Sequence, residues 1–160
     1  VVTLYKTKGN ASVKTLEDNQ QLKVVLDDYG FAAKEFFSFT LADGTLLDGY
    51  LLKPKTFDAA KEYPVLVYQY SGPGSQNVSN SFGGSHFWFH QFLVQKGYIV
   101  AVIDSRGTGA RGEKFKKVTY KQLGKYELDD LIAGAKFLAS LNYVDDSRIG
   151  IWGWSYGGYM

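Results

Sequence analysis

Five residues of this chain have the types and spacing to do chemistry: Gly153-Trp154-Ser155-Tyr156-Gly157 forms a Gly-x-Ser-x-Gly pattern directly after the apolar run Arg148-Ile149-Gly150-Ile151-Trp152. An apolar run entering such a motif predicts a buried strand that turns sharply into a helix, with the serine on the turn. The two glycines have a steric reason. They face each other across the turn, and a Cβ on either would collide. A serine hydroxyl is a weak nucleophile at neutral pH, so it needs a base to take its proton and an acid group to orient that base. The histidines, His86 and His90, both lie upstream, and with Asp104 they would give the chain order His, Asp, Ser. That order belongs to proteases built from two antiparallel barrels, whereas this sequence alternates strand and helix patterns. His86 and His90 lie four apart in an aromatic-rich helical stretch, residues 85–96, where one is expected to meet solvent and the other a backbone carbonyl. The same spacing suits a metal, but no carboxylate or cysteine accompanies it, so neither a metal nor a cofactor is expected.

The elements that must position Ser155 follow from periodicity. Residues 1–5 alternate as a strand, Leu16-Glu17-Asp18-Asn19 offers caps for a short helix over residues 20–29, and Gly30 closes it. A domain boundary is expected near residues 30–35. Beyond it, residues 36–41 and 45–53 read as two strands joined by Ala42-Asp43-Gly44, whose Asp-Gly suits a primed turn. Residues 64–70 and 98–104 are apolar enough to be central strands, with a helix over 86–95 between them. Leu128, Leu131, Ile132, Ala135 and Leu138 recur at helical spacing within residues 123–141, and residues 148–154 supply the last strand. A hairpin followed by strand, helix, strand, helix, strand predicts an α/β mixed sheet with helices on both faces.

Composition narrows the function. The 160 residues carry a net charge of +2, no cysteine, 12 tyrosines and 11 phenylalanines. This suits packed strands and an aromatic-lined cleft, without disulfides, thiol chemistry or cysteine-ligated metal. Lys114, Lys116, Lys117 and Lys121 form the densest basic group, which a solvated loop explains more simply than nucleic acid does. No stretch has the length of a membrane helix. Gly107-Thr108-Gly109-Ala110-Arg111-Gly112 matches Gly-x-Gly-x-x-Gly after a strand, with Glu127 at about the dinucleotide-binding distance. No helix is expected to begin at these glycines, and Asp104 and Arg106 crowd the place where a pyrophosphate would approach, so dinucleotide binding is not expected. Arg106 is expected to hold the loop after Asp104, and Trp154 and Trp88 are expected in the core.

The elbow, together with Tyr70-Ser71-Gly72-Pro73-Gly74-Ser75-Gln76 and Asp104-Ser105-Arg106-Gly107-Thr108-Gly109, resembles the dipeptidyl peptidase IV branch of the prolyl oligopeptidase family. The resemblance implies the first half of an α/β-hydrolase domain over residues 31–160, preceded over residues 1–30 by the last strand and exit linker of a β-propeller. It implies Ser155 as nucleophile and two donors to the oxyanion, the backbone N–H of Tyr156 and the phenol of Tyr70. Tyr156 would also line the pocket for the residue before the cleaved bond. The implied substrate is a peptide with a free amino terminus and proline or alanine at its second position, and the parent enzyme is expected to be a homodimer. The implied triad aspartate and histidine would lie downstream of Met160, and the glutamates that bind the substrate's amino terminus would lie upstream. The 160 residues alone are therefore expected to be inactive. An extracytoplasmic place, periplasmic or secreted, fits the lack of cysteine. An acylaminoacyl peptidase, a carboxylesterase and a non-catalytic hydrolase-like binding module remain as alternatives on the same fold.

Overall fold

The computed structural model describes residues 1–84 and 86–160; Ser85, at the start of the expected aromatic helical stretch, lies outside the described residues. The chain divides into two compact units, Val1–Phe31 and Ala32–Met160. In the first, β1 (Val2–Tyr5) pairs antiparallel with β2 (Ser12–Glu17), and α1 (Gln20–Asp28) follows. Lys6 N donates to Ala11 O at 2.9 Å and so closes the turn between the strands. Asn19 precedes α1, but the Asp18 carboxylate accepts the Gln20 N–H at 2.8 Å in its place. No propeller portion is seen in these residues; what stands there is a two-stranded pair and a helix. Strand β2 was not expected, because every residue of Ser12–Glu17 is exposed and a strand without a buried face leaves no apolar alternation to read.

The second unit contains β3 (Glu35–Thr40), β4 (Leu46–Leu52), β5 (Tyr63–Tyr68), α2 (Phe87–Gln95), β6 (Ile99–Asp104), α3 (Glu113–Lys117), α4 (Lys125–Ala139), β7 (Val144–Trp152) and α5 (Tyr156–Tyr159). The strands form one sheet in the order β3-β4-β6-β5-β7. The first three are antiparallel neighbours, while β5 runs parallel to both β6 and β7. This is the expected α/β mixed sheet.

Strand β6 is buried throughout, so its alternate side chains serve two cores. Ile99, Ala101 and Ile103 pack with Leu138 of α4, along with Phe39, Leu47, Val65 and Val67. Val100 and Val102 pack with Val94 of α2, Tyr50, Leu52 and Tyr68. The two helices therefore cover opposite faces. The buried face of α4 is Glu127, Asp130, Leu131, Gly134 and Leu138, while Leu128 and Ile132, counted in the apolar stripe, are exposed. Two buried carboxylates rotate that face away from the stripe.

Three local expectations are corrected. Asp43 does not have positive φ, while Gly44 does at +83°; Gly44 N donates to Leu41 O at 2.9 Å and Leu41 N to Thr45 O at 2.8 Å. The hairpin therefore closes with a type I turn and a glycine bulge, not a primed turn. The lysines after Gly112 are exposed as expected, but Lys114, Lys116 and Lys117 lie on the short helix α3 rather than on a loop. Strand β7 begins at Val144, and a register shift between Tyr63↔Val144 and Val65↔Ile149 absorbs the intervening residues. Asp145 draws in Ser147 N at 3.1 Å and Arg148 Nε at 2.6 Å there, a polar knot that hides the strand start in the sequence.

Candidate active site

The parallel pairing of β5 and β7 brings the two expected site segments together. Tyr68 and Trp152 are register partners at the carboxyl ends of these strands. Tyr70 follows two residues after the first and Ser155 three after the second, so both leave the sheet at one edge. The rings of Tyr70 and Tyr156 then stand 6.4 Å apart at 48°. Crevices at the carboxyl ends of parallel strands are where open α/β sheets take ligands.

Ser155 sits at φ 56°, ψ −116°, in a region that non-glycine residues rarely occupy, and it is exposed. Such strain costs about 1–3 kcal/mol and persists where surrounding structure enforces it. The enforcement is visible around the two glycines. A Cβ on Gly153 would lie 2.5 Å from Gly157 O and 2.6 Å from Gln69 O, and one on Gly157 would lie 2.4 Å from Gln69 O. The glycines face each other as the motif demanded, and a third wall, the backbone of Gln69, comes from the residue that follows β5. Fully buried Gln69 also donates its Nε2 to Gly157 O at 2.8 Å, while its own N–H donates to Trp152 O at 3.3 Å. The sequence offered one signal for this: a lone amide inside the apolar run 64–70.

Tyr70 leads into a loop whose shape is fixed by the glycine-rich segment after β6. A Cβ on Gly72 would fall 2.3 Å from Tyr70 Cε1, so glycine lets the ring fold back over the loop. Gly74 N donates to Gly107 O at 2.8 Å, and Gly109 N donates to Ser75 O at 2.7 Å. The buried Asp104 carboxylate accepts Asn77 N at 3.0 Å and Val78 N at 2.8 Å. Burial pushes its pKa up, against the lowering effect of those hydrogen bonds. The first three residues of the Gly-x-Gly-x-x-Gly segment spend their backbone donors on the protein: besides Gly109, Gly107 N reaches Phe115 O at 3.0 Å, and Thr108 N reaches Ser105 O at 3.3 Å. Helix α3 does begin directly after Gly112, contrary to the expectation that no helix starts there, yet the N–H groups of Gly107 and Gly109 point to carbonyls of the protein.

Arg106 holds this loop against α4. Its backbone N donates to Asp130 Oδ2 at 2.7 Å, its Nε and Nη2 reach Asp130 Oδ1 at 2.9 and 2.6 Å, and its Nη1 reaches Asp43 at 2.9 Å. Asp130 is fully buried. Glu127, one turn earlier on α4, is fully buried too, and its carboxylate accepts Gly124 N at 3.1 Å and Tyr156 Oη at 2.8 Å. Burial, and then the Glu127 carboxylate, push the Tyr156 phenol up to about 12. Periodicity gives no hint of either acid, because Tyr156 and Arg106, which meet them, are distant in sequence.

The remaining candidates fall outside this cluster. His90 is buried and His86 half-buried, with centroids 5.0 and 4.8 Å from the Tyr68 ring and 5.8 and 4.9 Å from that of Trp152. His90 Nε2 has no partner among the described residues, while half-buried His86 keeps access to solvent. Burial lowers the His90 pKa to about 4, which keeps the ring neutral. Trp154 and Trp88, expected in the core, are 74 % and 60 % exposed. Trp154 stands on the turn after β7 has ended, and Trp88 on the outer side of α2.

Comparison with known proteins gives a consistent answer. Residues 85–160 match the model of the prolyl oligopeptidase family. The Bos taurus prolyl endopeptidase FAP is 36% identical over the whole chain, which covers 21% of that protein. The Aspergillus terreus protein named probable dipeptidyl-aminopeptidase B is 39% identical over 98% of the chain and 17% of its own length. The crystal structure of Porphyromonas gingivalis dipeptidyl peptidase 4 superposes with a TM-score of 0.84 at 46% identity, over 98% of this chain and 22% of that one. The chain thus spans about a fifth of the length of the relatives it matches. No helix among the described residues is long and apolar enough to cross a membrane. A strained serine between two mutually facing glycines at the end of β7, and likeness along the full chain to these peptidases, lead to one conclusion: the chain belongs to the prolyl oligopeptidase family of serine peptidases and is homologous over its whole length to its dipeptidyl peptidase and FAP members.

Proposed function

We propose that these residues are the first half of the hydrolase domain of a serine peptidase that releases dipeptides from free amino termini, with proline or alanine in the second position. The observation that carries the reading is the placement of Tyr70 and strained Ser155 at the adjacent ends of parallel β5 and β7. In this reading Ser155 Oγ attacks the carbonyl carbon after the second substrate residue while a histidine from outside these residues takes its proton. The carbonyl oxygen becomes an oxyanion that accepts hydrogen bonds from Tyr156 N–H and the Tyr70 phenol. The carbon–nitrogen bond then breaks, and the leaving amine departs with the proton from the histidine. Water hydrolyses the resulting ester on Ser155 by the same steps in reverse, releasing the dipeptide and restoring the hydroxyl. In this reading the Tyr156 ring, directly after the nucleophile, lines the pocket for the second substrate residue, proline or alanine. The chain alone, without a base for Ser155, does not turn over.

Oxyanion donors aimed in advance contribute heavily to such reactions, and removing one costs about 10²–10³ in turnover. In the full-length protein, Tyr70→Phe is therefore expected to leave the melting temperature near that of the wild type and to lower kcat by about that factor. Near-normal kcat in Tyr70→Phe would remove Tyr70 from the mechanism. Faster hydrolysis of a short acyl ester than of any peptide amide would replace the peptidase reading with an esterase.

A further inference from the structure

We infer that Glu127 is a positioning residue for the reaction: from a fully buried place on α4 it clamps the Tyr156 phenol, and so holds the backbone N–H of the residue after the nucleophile. This inference rests on the peptidase reading above. The clamp has two ends. One oxygen of Glu127 accepts the N–H of Gly124, at the start of its own helix, which fixes the carboxylate's orientation; the other accepts Tyr156 Oη at 2.8 Å. The helix itself is fixed, since Leu138 packs in the core against the sheet, Leu131 is buried and Asp130 is tied to Arg106. Tyr156 gains a second brace from Tyr159, whose ring meets it edge-on at 5.5 Å. Helix α5 runs only from Tyr156 to Tyr159, so its own hydrogen bonds fix its first residue weakly. An anchor on a rigid neighbouring helix supplies what the short helix lacks.

Two features make the carboxylate suited to this task. It can accept from two donors at once, and its bonds are charge-assisted and therefore stronger than neutral ones. Displacing a reacting group or its donor by about 1 Å can cost roughly a hundredfold in rate. Loss of the clamp should appear mainly in kcat, because the Tyr156 N–H is used most in the transition state.

The test compares wild type, Glu127→Leu, Glu127→Gln, Tyr156→Phe, the Glu127→Leu/Tyr156→Phe double variant and Ser155→Ala in the full-length protein, with a Gly-Pro fluorogenic reporter. Glu127→Leu is expected to lower kcat roughly tenfold to a hundredfold, with a smaller change in KM. Glu127→Gln should retain most of the activity, since its carbonyl can accept from Gly124 while its amide donates to the phenol oxygen. The double variant should lose no more than the larger single loss, because both remove one contact. Tyr156→Phe keeps the ring and the backbone N–H, so it carries the test if Glu127→Leu does not fold. Unchanged kcat in folded Glu127→Leu or in Tyr156→Phe, or additive losses in the double variant, would overturn the inference. If Ser155→Ala keeps full activity, the peptidase reading itself fails, an outcome separate from any result at Glu127.

Discussion

Adjacent glycines in α5 offer a matched pair for testing why the turn has its sequence. A Cβ built on Gly157 lies 2.4 Å from Gln69 O and 3.1 Å from Tyr70 Cα, both backbone atoms. A Cβ on Gly158 lies 3.6 Å from Gly153 O, an ordinary contact. Neither glycine has positive φ, so alanine brings no backbone strain at either site and the comparison is purely steric. Relief of the Gly157 contact must move the elbow away from β5 by about 1 Å, and it stretches the Gln69 Nε2 bond to Gly157 O. Overpacking of this kind typically costs about 1–3 kcal/mol in stability. A shift of that size beside Ser155 should cost about a hundredfold in turnover. Gly158→Ala should be neutral or slightly stabilising, since alanine favours a helix over glycine by up to about 1 kcal/mol. Thermal melts and reporter turnover of both variants in the full-length protein decide the matter. Equal stability and equal kcat for Gly157→Ala and Gly158→Ala would refute the steric account of the motif.

Ser155→Gly should be more stable than Ser155→Ala by about 1–2 kcal/mol, the relief of strain at φ 56° less the entropy cost of glycine, and chemical denaturation of the two inactive variants measures it. His90, whose pKa falls from 6.5 to about 4 through burial, then His86 and Lys34, binds fewer protons in the fold than in the unfolded chain. Its contribution is therefore fully present above pH 6.5 and lost as pH falls towards 4, an effect of up to about 3 kcal/mol. Buried Asp104 and Asp130 have raised pKa values and act in the opposite sense, so the quantity to measure is the difference in pH dependence between wild type and His90→Phe. A difference that does not change between pH 7 and pH 4 would contradict the buried neutral ring.

What the sequence made legible was governed by local rules. The apolar run into Gly153-Trp154-Ser155-Tyr156-Gly157 announced both the strand and the turn, because the glycines and the strand are consequences of the same few residues. Central strands β5 and β6 were readable from their unbroken apolar character, as was the helix between them. Polar residues that are buried because a distant group satisfies them were not readable. Gln69 looks like an interruption in a strand until β7 stands beside it, and Glu127 and Asp130 look like solvent-facing residues on α4 until Tyr156 and Arg106 meet them. The same blindness turned the α4 stripe towards Leu128 and Ile132. The contacts of the glycine-rich segment 107–112 with the Tyr70 loop depend on the N–H of Gly74 and the carbonyl of Ser75, which no local pattern reveals.

The most direct test of the central claim is release of a fluorophore from a Gly-Pro reporter by the full-length protein, with the amino terminus free or blocked and with Ser155 intact or replaced by alanine. The account predicts cleavage of the free-amine reporter only, abolished in Ser155→Ala. Equal cleavage of both reporters, or activity that survives Ser155→Ala, would contradict it.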